Sequence, residues 1–349
     1  MTLLIPVTCV VAALAGRGRA AEDPPEAPGA SDSGPTEATE ALRSPAACTA
    51  VSLRWENDAL AGRDEHYSNG VSLGLTRDGR GLLGGIWGWF GATEGRWITG
   101  YELGQIMVTP ADISRPVPDP TDRPYAGLLY GALSTQYSHG NQFHGLKLIT
   151  GVVGPASLAE ETQKWVHDRI GSTEPQGWDY QLKNEPILNL VYEHRRRYTL
   201  AGSRDGLGAE VIPVAGAMLG NVLIQAQAGA QLRLGYQLPD DFGTSLMRGL
   251  GNLPFPALED AQTARRRWGV YVFAGGSANL VARDLTLDGN SFRDGPHVTK
   301  EPFFAAGEAG ISLWLQHFQT TFSYVIWGKE FQGQDQASQF AAVTASVCF

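Results

Sequence analysis

From Thr49 onward, apolar and polar side chains alternate with a period of two, the spacing of a strand whose two faces meet different surroundings. In residues 224–234, IQAQAGAQLRL, Gln225, Gln227, Gln231 and Arg233 share one side, and small or apolar residues take the other. Aromatics alternate with Gln, Thr and Ser over 318–324, and the chain closes on an alternating run, 343–349, that ends in Phe349. Twelve such segments are predicted, near 49–58, 67–77, 98–108, 126–138, 142–153, 186–200, 207–220, 223–236, 268–282, 301–315, 317–330 and 338–349. Short Gly/Asn turns such as His139-Gly140-Asn141 and Gly220-Asn221 join some of them.

Most segments reach ten residues, longer than the usual strand of a soluble sheet. An even number of long, two-faced strands is the pattern of an outer-membrane barrel. A secreted β-sandwich is the rival, but its inner faces would carry large aliphatics, whereas these apolar faces hold many Ala and Gly. The expected fold class is therefore all-β: a twelve-stranded antiparallel transmembrane β-barrel with one helix in an extracellular loop. Trp55, Tyr101, Tyr137, Tyr236, Trp268, Trp314 and Trp327 near strand ends suit interfacial girdles.

The helix breaks the pattern between the fifth and sixth segments. Ser157-Leu158-Ala159-Glu160 reads as a capping box, a helical run follows to Ile170, and Gly171 is a suitable stop. Gln163 and His167, four apart, share one face. If the N-terminus is periplasmic, odd strands run outward. The first strand tip and the helix then both lie at the extracellular end, and the arginine triplets Arg195–Arg197 and Arg265–Arg267 at the periplasmic end, as strand caps.

Composition sharpens this picture. The 349 residues include 43 Gly, only 18% are charged, and the net charge of −9 disfavours nucleic acid as a partner. Residues 2–16 form an apolar stretch too short to span a bilayer, and Gly18-Arg19-Ala20 suits a signal-peptidase cut, although the basic residues Arg17 and Arg19 follow the apolar run instead of preceding it. The expected organisation is a signal peptide over 1–20, a Pro/Ala/Glu-rich disordered linker over 21–47 and the barrel over 48–349. Cys9, Cys48 and Cys348 offer no metal-binding spacing. Parity turns even-numbered residues of both the first and the last strand inward. Closure of the barrel then predicts a Cys48–Cys348 disulfide at the seam, formed in an oxidising periplasm.

The chemistry concentrates at the first strand's tip, where Glu56-Asn57-Asp58 is followed by Asp64 and Tyr67-Ser68-Asn69-Gly70. A tip so loaded with carboxylates, amides and a hydroxyl reads as a reactive or ion-binding site, although Asn-Asp at a strand end is also an ordinary turn. Further along come Asp122-Arg123-Pro124-Tyr125-Ala126-Gly127, Gly151-Val152-Val153-Gly154-Pro155, the Gln163 and His167 helix, Gly177-Trp178-Asp179-Tyr180-Gln181 and Leu287-Asp288-Gly289-Asn290. Singly these have bland readings: a lone helical His is more often structural, Asp122-Arg123 could be a plain ion pair, and Asp288-Gly289-Asn290 is most simply a turn.

As an ordered set over roughly 48–349, these motifs resemble the outer-membrane lipid A 3-O-deacylases, the LpxR family. The resemblance implies calcium-dependent hydrolysis of the ester-linked 3′-acyloxyacyl chain of lipid A in the outer leaflet. It implies catalytic roles for Asn57, Asp58, Ser68, Gln163 and His167, with Ser68 standing where better-known members have Thr. A family Glu shortly after the His falls at Thr173, and Glu174 is one position off. His167 can serve as base. Asp58 and Asn57, with Glu174 as a further candidate, can hold Ca2+ through hard oxygens. Ser68 is either a nucleophile or, preferably, a positioning hydroxyl. The expected partners are lipid A or lipopolysaccharide as substrate and outer-membrane lipids around a monomer. A non-enzymatic barrel (porin or structural) and an outer-membrane phospholipase with a Ser-His pair are the alternatives.

Overall fold

The computed structural model describes residues 49–58, 66–247, 249–254 and 267–349. The expected signal peptide, the linker, Asp64, Cys48 and, of the second arginine triplet, Arg265 and Arg266 lie outside the described residues. The strands are β1 (Thr49–Asn57), β2 (His66–Asp78), β3 (Arg96–Thr109), β4 (Ala126–His139), β5 (Gln142–Val153), β6 (Glu185–Arg196), β7 (Tyr198–Gly202), β8 (Leu207–Gly220), β9 (Leu223–Tyr236), β10 (Trp268–Asp284), β11 (Phe303–Leu315), β12 (Phe318–Trp327) and β13 (Ser338–Cys348). Both β6 and β7 pair with β8, interrupted only at Arg197, so they form one broken strand. The result is twelve antiparallel staves. β1 pairs with β13 and β6 with β8, and the sheet closes on itself. Closure leaves no sheet edge, the condition for strands to span a bilayer.

Side-chain parity decides what each face carries. Outward positions such as Leu73, Leu103, Leu188, Leu280 and Ile311 are exposed, while inward Glu102, Lys147, Glu193, Arg233 and Gln231 are buried. Trp314 and Trp327 correct the girdle expectation. Trp314 shares parity with the inward Ser312 and is fully buried, donating from Nε1 to Gln237 O (3.0 Å). Trp327 shares parity with inward Gln319, Thr321 and Ser323 and packs on Phe340, edge to face at 5.0 Å.

Inward parity also holds at the seam, where Ala50 faces Cys348. Cys348 is disulfide-bonded.

The pattern of alternation gives no account of what fills the lumen. The β9–β10 connection does so: from Leu238 to Pro254 nearly every described residue is buried, against inward-facing wall residues. Arg195 donates to Phe242 O (3.2 Å) and Gly243 O (2.9 Å), Gln231 to Thr244 Oγ1 (2.5 Å), and Gln136 to Pro254 O (2.9 Å). Lys147 Nζ donates to Leu250 O (2.9 Å), Asn252 O (2.8 Å) and Glu102 Oε2 (2.9 Å). Arg233 pairs with Glu210 and Asp241. Arg195 and Arg197 are thus plug anchors instead of strand caps, because a segment carrying backbone carbonyls into the lumen needs buried donors. Above them, Met247 and Leu250 join Tyr67, Ile106, Tyr130, Val191, Val325 and Phe340 in the main apolar core. Among the described residues, that core lies inside the barrel.

The end holding Thr49 and Cys348 carries the tight connections after His139, Gly202 and Leu315, together with two longer ones, residues 79–95 and the luminal segment, that fold back on the barrel; long segments follow Thr109, Val153 and Asp284 at the other end. Short periplasmic turns and long extracellular loops are the outer-membrane rule, so the tips of β1 and β2 face outward from the cell.

Candidate active site at the outer rim

Three strand tips meet here. Asn57 ends β1 opposite Asn69, and its Nδ2 donates to Ser68 O (2.7 Å). β2 is irregular between His66 and Asn69, and a bulge there re-aims the intervening side chains. Consecutive Tyr67 and Ser68 are consequently both buried, which strict alternation against solvent or lipid would forbid. Tyr67 turns into the lumen, stacked on Phe340 at 4.5 Å and donating to Glu56 Oε2 (2.6 Å). Ser68 turns the other way, its Oγ within 2.6 Å of Thr109 Oγ1 at the end of β3. Asp58, the next residue after β1, is 1% exposed.

One short helix packs on the outside of this wall. α2 (Ala159–Ile170) begins differently from the sequence expectation: its N-cap is Leu158, in the left-handed region (φ 58°), with no side-chain capping bond. Ser157 belongs to a preceding 3-10 turn, Pro155–Ser157, and its buried Oγ has no hydrogen-bond partner. The capping box fails because Ser157 is pressed against the barrel. A Cβ at Gly127 on β4 would lie 2.2 Å from Ala159 Cβ and 2.3 Å from Ser157 Oγ, so only glycine lets the helix close on the wall. Gln105 Nε2 on β3 donates to Ser157 O (2.7 Å). Met107, Ile113, Tyr125, Ala159 and Trp178 form a small apolar cluster beneath the helix. Trp178 Nε1 donates to Gln163 Oε1 (2.8 Å), which fixes the buried amide.

His167 stands one helical turn beyond Gln163. Gly171 stops the helix as expected, in the left-handed region (φ 68°), and the chain folds back. Its return brings Thr173 O within 2.5 Å of His167 Nδ1. A carbonyl oxygen only accepts, so Nδ1 carries the proton. The neutral ring then keeps its lone pair on Nε2, the arrangement a general base requires. Glu174 follows, exposed, among the carboxylates that raise the Lys164 ammonium above its ordinary value, chiefly through its bond to Glu160.

The candidate residues therefore form two groups on the outer face of β1–β4: Asn57, Ser68 and Thr109 on the strand tips, and Gln163 with His167 on α2. Thr109 and the Thr173 carbonyl are the neighbours that residue-type reasoning missed, and Gly127, part of a motif already singled out, gains its reason in the close approach of α2. The first shares strand-tip parity with Ser68, a usable signal, but a backbone carbonyl has none. Asp122 accepts from Ala111 N (2.8 Å), a loop role, and Arg123 is buried with Glu330 at 3.1 Å. Asn290 bonds both N–H and C=O of Lys183, clamping the β10–β11 loop to the β5–β6 loop.

A family model described as outer membrane protein LpxR matches residues 13–349. The chain belongs to the LpxR family. LpxR from Salmonella typhimurium is similar in fold, with TM-score 0.70 and 19% identity over 86% of this chain and all of that one. The β domain of the Bordetella autotransporter BrkA matches less well, at TM-score 0.42 and 12% identity, covering 87% of this chain and 98% of that one. No curated protein matches by sequence. This LpxR-family chain is thus an outer-membrane β-barrel protein.

Proposed function

We propose that this protein is a lipid A 3-O-deacylase that hydrolyses the ester of the 3′-acyloxyacyl chain in the outer leaflet. The observation that carries the reading is the rim site itself. A histidine with Nδ1 held by a carbonyl stands on a helix outside the barrel, where an outer-leaflet lipid arrives laterally. Exposed Leu158, Trp165, Ile170 and Tyr180 on and around α2 give acyl chains an apolar fringe.

Each residue has a task. His167 Nε2 takes the proton of the attacking water. Gln163, fixed by Trp178, holds the helix face in register with the wall. Ser68 Oγ is engaged with Thr109 instead of a histidine, which supports a positioning hydroxyl over a nucleophile and counts against a Ser-His phospholipase. The filled lumen counts against a porin.

Calcium belongs to this proposal. Among the described residues no three Asp, Glu, His or Cys side chains assemble as a metal cage. The donors whose chemistry fits are hard oxygens of fewer charges: the Asp58 carboxylate and Asn57 Oδ1. A bound calcium ion would polarise the ester carbonyl. Mass spectrometry of lipid A from cells expressing this chain tests the reading: loss of the 3′-acyloxyacyl mass is expected, and unchanged lipid A refutes it.

A further inference from the structure

Besides α2, the β2–β3 connection, residues 79–95, is a place among the described residues where the chain lies on the outside of the barrel. Thr99 and Thr135 sit at outward-facing positions of β3 and β4, yet they are 5% and 0% exposed. The connection covers them. Thr99 Oγ1 donates to Gly79 O (3.0 Å), and Trp87 Nε1, in the short helix α1 (Ile86–Trp89), donates to Thr135 Oγ1 (3.0 Å). A Cβ at Gly81, whose φ is +50°, would fall 2.0 Å from Thr99 Oγ1, so this close approach requires glycine. The Trp87 ring lies 6.2 Å from that of outward-facing Tyr137, nearly parallel, and Tyr137 OH donates to Glu94 O (2.8 Å). The segment is therefore folded back against the outer wall at the periplasmic end.

The face it turns away from the wall is apolar. Trp89, Phe90 and Leu82 are 87%, 78% and 81% exposed, an arrangement that water penalises. This patch continues the exposed outward row of Leu75, Tyr101 and Leu103 on the neighbouring strands. Beside it, Arg77 is exposed, and Arg80 holds its guanidinium 4.3 Å over the Trp97 ring.

We propose that residues 79–95 form an interfacial anchor that inserts Trp89, Phe90 and Leu82 into the periplasmic leaflet, with Arg77 and Arg80 at phospholipid phosphates. The wall beneath the patch is lipid-facing, so a surface lying upon it and continuous with it meets the same lipid. Irregular backbone with open N–H and C=O groups is not tolerated in the hydrocarbon centre. Tryptophan flanked by arginine favours the headgroup level. The anchor would set the height of the barrel in the membrane independently of any reaction at the opposite rim.

The test uses the full chain with Cys9→Ser, folded into phosphatidylcholine/phosphatidylglycerol vesicles, with a nitroxide on Trp89→Cys. A second nitroxide on Asn141→Cys, in the β4–β5 turn at the same end, is the aqueous control. Oxygen should collide with the label at 89 several-fold more often, relative to a nickel chelate, than with the label at 141. Brominated lipids in the wild-type vesicles should quench an emission component that Trp89→Phe lacks, and acrylamide should not reach it. A label at 89 as open to the nickel chelate as that at 141 overturns the proposal, because the patch would then face water or await a protein. So does a Trp89 component quenched by acrylamide.

Discussion

Lys147→Met tests whether the luminal segment is held by a buried cation. Lys147 Nζ is wholly enclosed, and its three protons go to Glu102 Oε2, Leu250 O and Asn252 O at 2.8–2.9 Å. Glu102 keeps one further partner, the Tyr130 hydroxyl at 2.7 Å. Methionine nearly conserves volume, so packing loss is small. What remains is a buried carboxylate that has lost its bonded cation and keeps only the more remote Arg54 charge, a change that costs at most about 3–5 kcal/mol when one partner of a buried pair is removed. Adding Glu102→Gln removes the charge and leaves chiefly the two orphaned carbonyls, at about 1–3 kcal/mol. The double variant should therefore be more stable than the single one by roughly 2 kcal/mol. Urea unfolding in lipid vesicles measures both, and amide exchange over 249–254 should quicken in the single variant. A single variant within about 1 kcal/mol of the wild type, or a double variant less stable than the single, would refute the argument that Lys147 anchors the plug through a desolvated ion pair.

At the rim, His167→Ala and His167→Asn should each lower acyl release by ~10²–10⁴-fold while the barrel still folds; near-wild-type release by either would remove His167 as the base. Asp58→Asn should raise the calcium needed for activity, and chelator should stop the wild type reversibly. Full activity in chelator would dismiss the ion. Ser68→Thr should retain activity and Ser68→Ala a residue of it, and an acylated Ser68 peptide in a digest would instead establish covalent catalysis. Gly127→Val should abolish activity without unfolding the barrel, because its side chain occupies the space of Ala159 and Ser157; retained activity would mean that α2 need not lie on the wall.

Much of this protein is legible in the order of its residues. A strand has a period of two, and a bilayer outside with polar groups inside forces every stave to show it, so twelve strands and their facing could be read directly. Parity even assigns Trp314 and Trp327 to the lumen, against their resemblance to girdle residues. The motifs at Asn57–Asp58, Ser68 and Gln163–His167 were legible as residue types in a familiar order. What they touch was not. The bulge at Tyr67–Ser68 and the left-handed start of α2 arise from contacts between segments distant in sequence, and the tautomer of His167 is fixed by the nearby Thr173 carbonyl once Gly171 turns the chain back. Backbone carbonyls carry no residue signature. The luminal segment and the β2–β3 connection escaped for the same reason. Neither has a period, and only the closed barrel decides that one polar, glycine-containing stretch turns inward to meet Lys147 and Arg195 while another folds outward over Thr99 and Thr135.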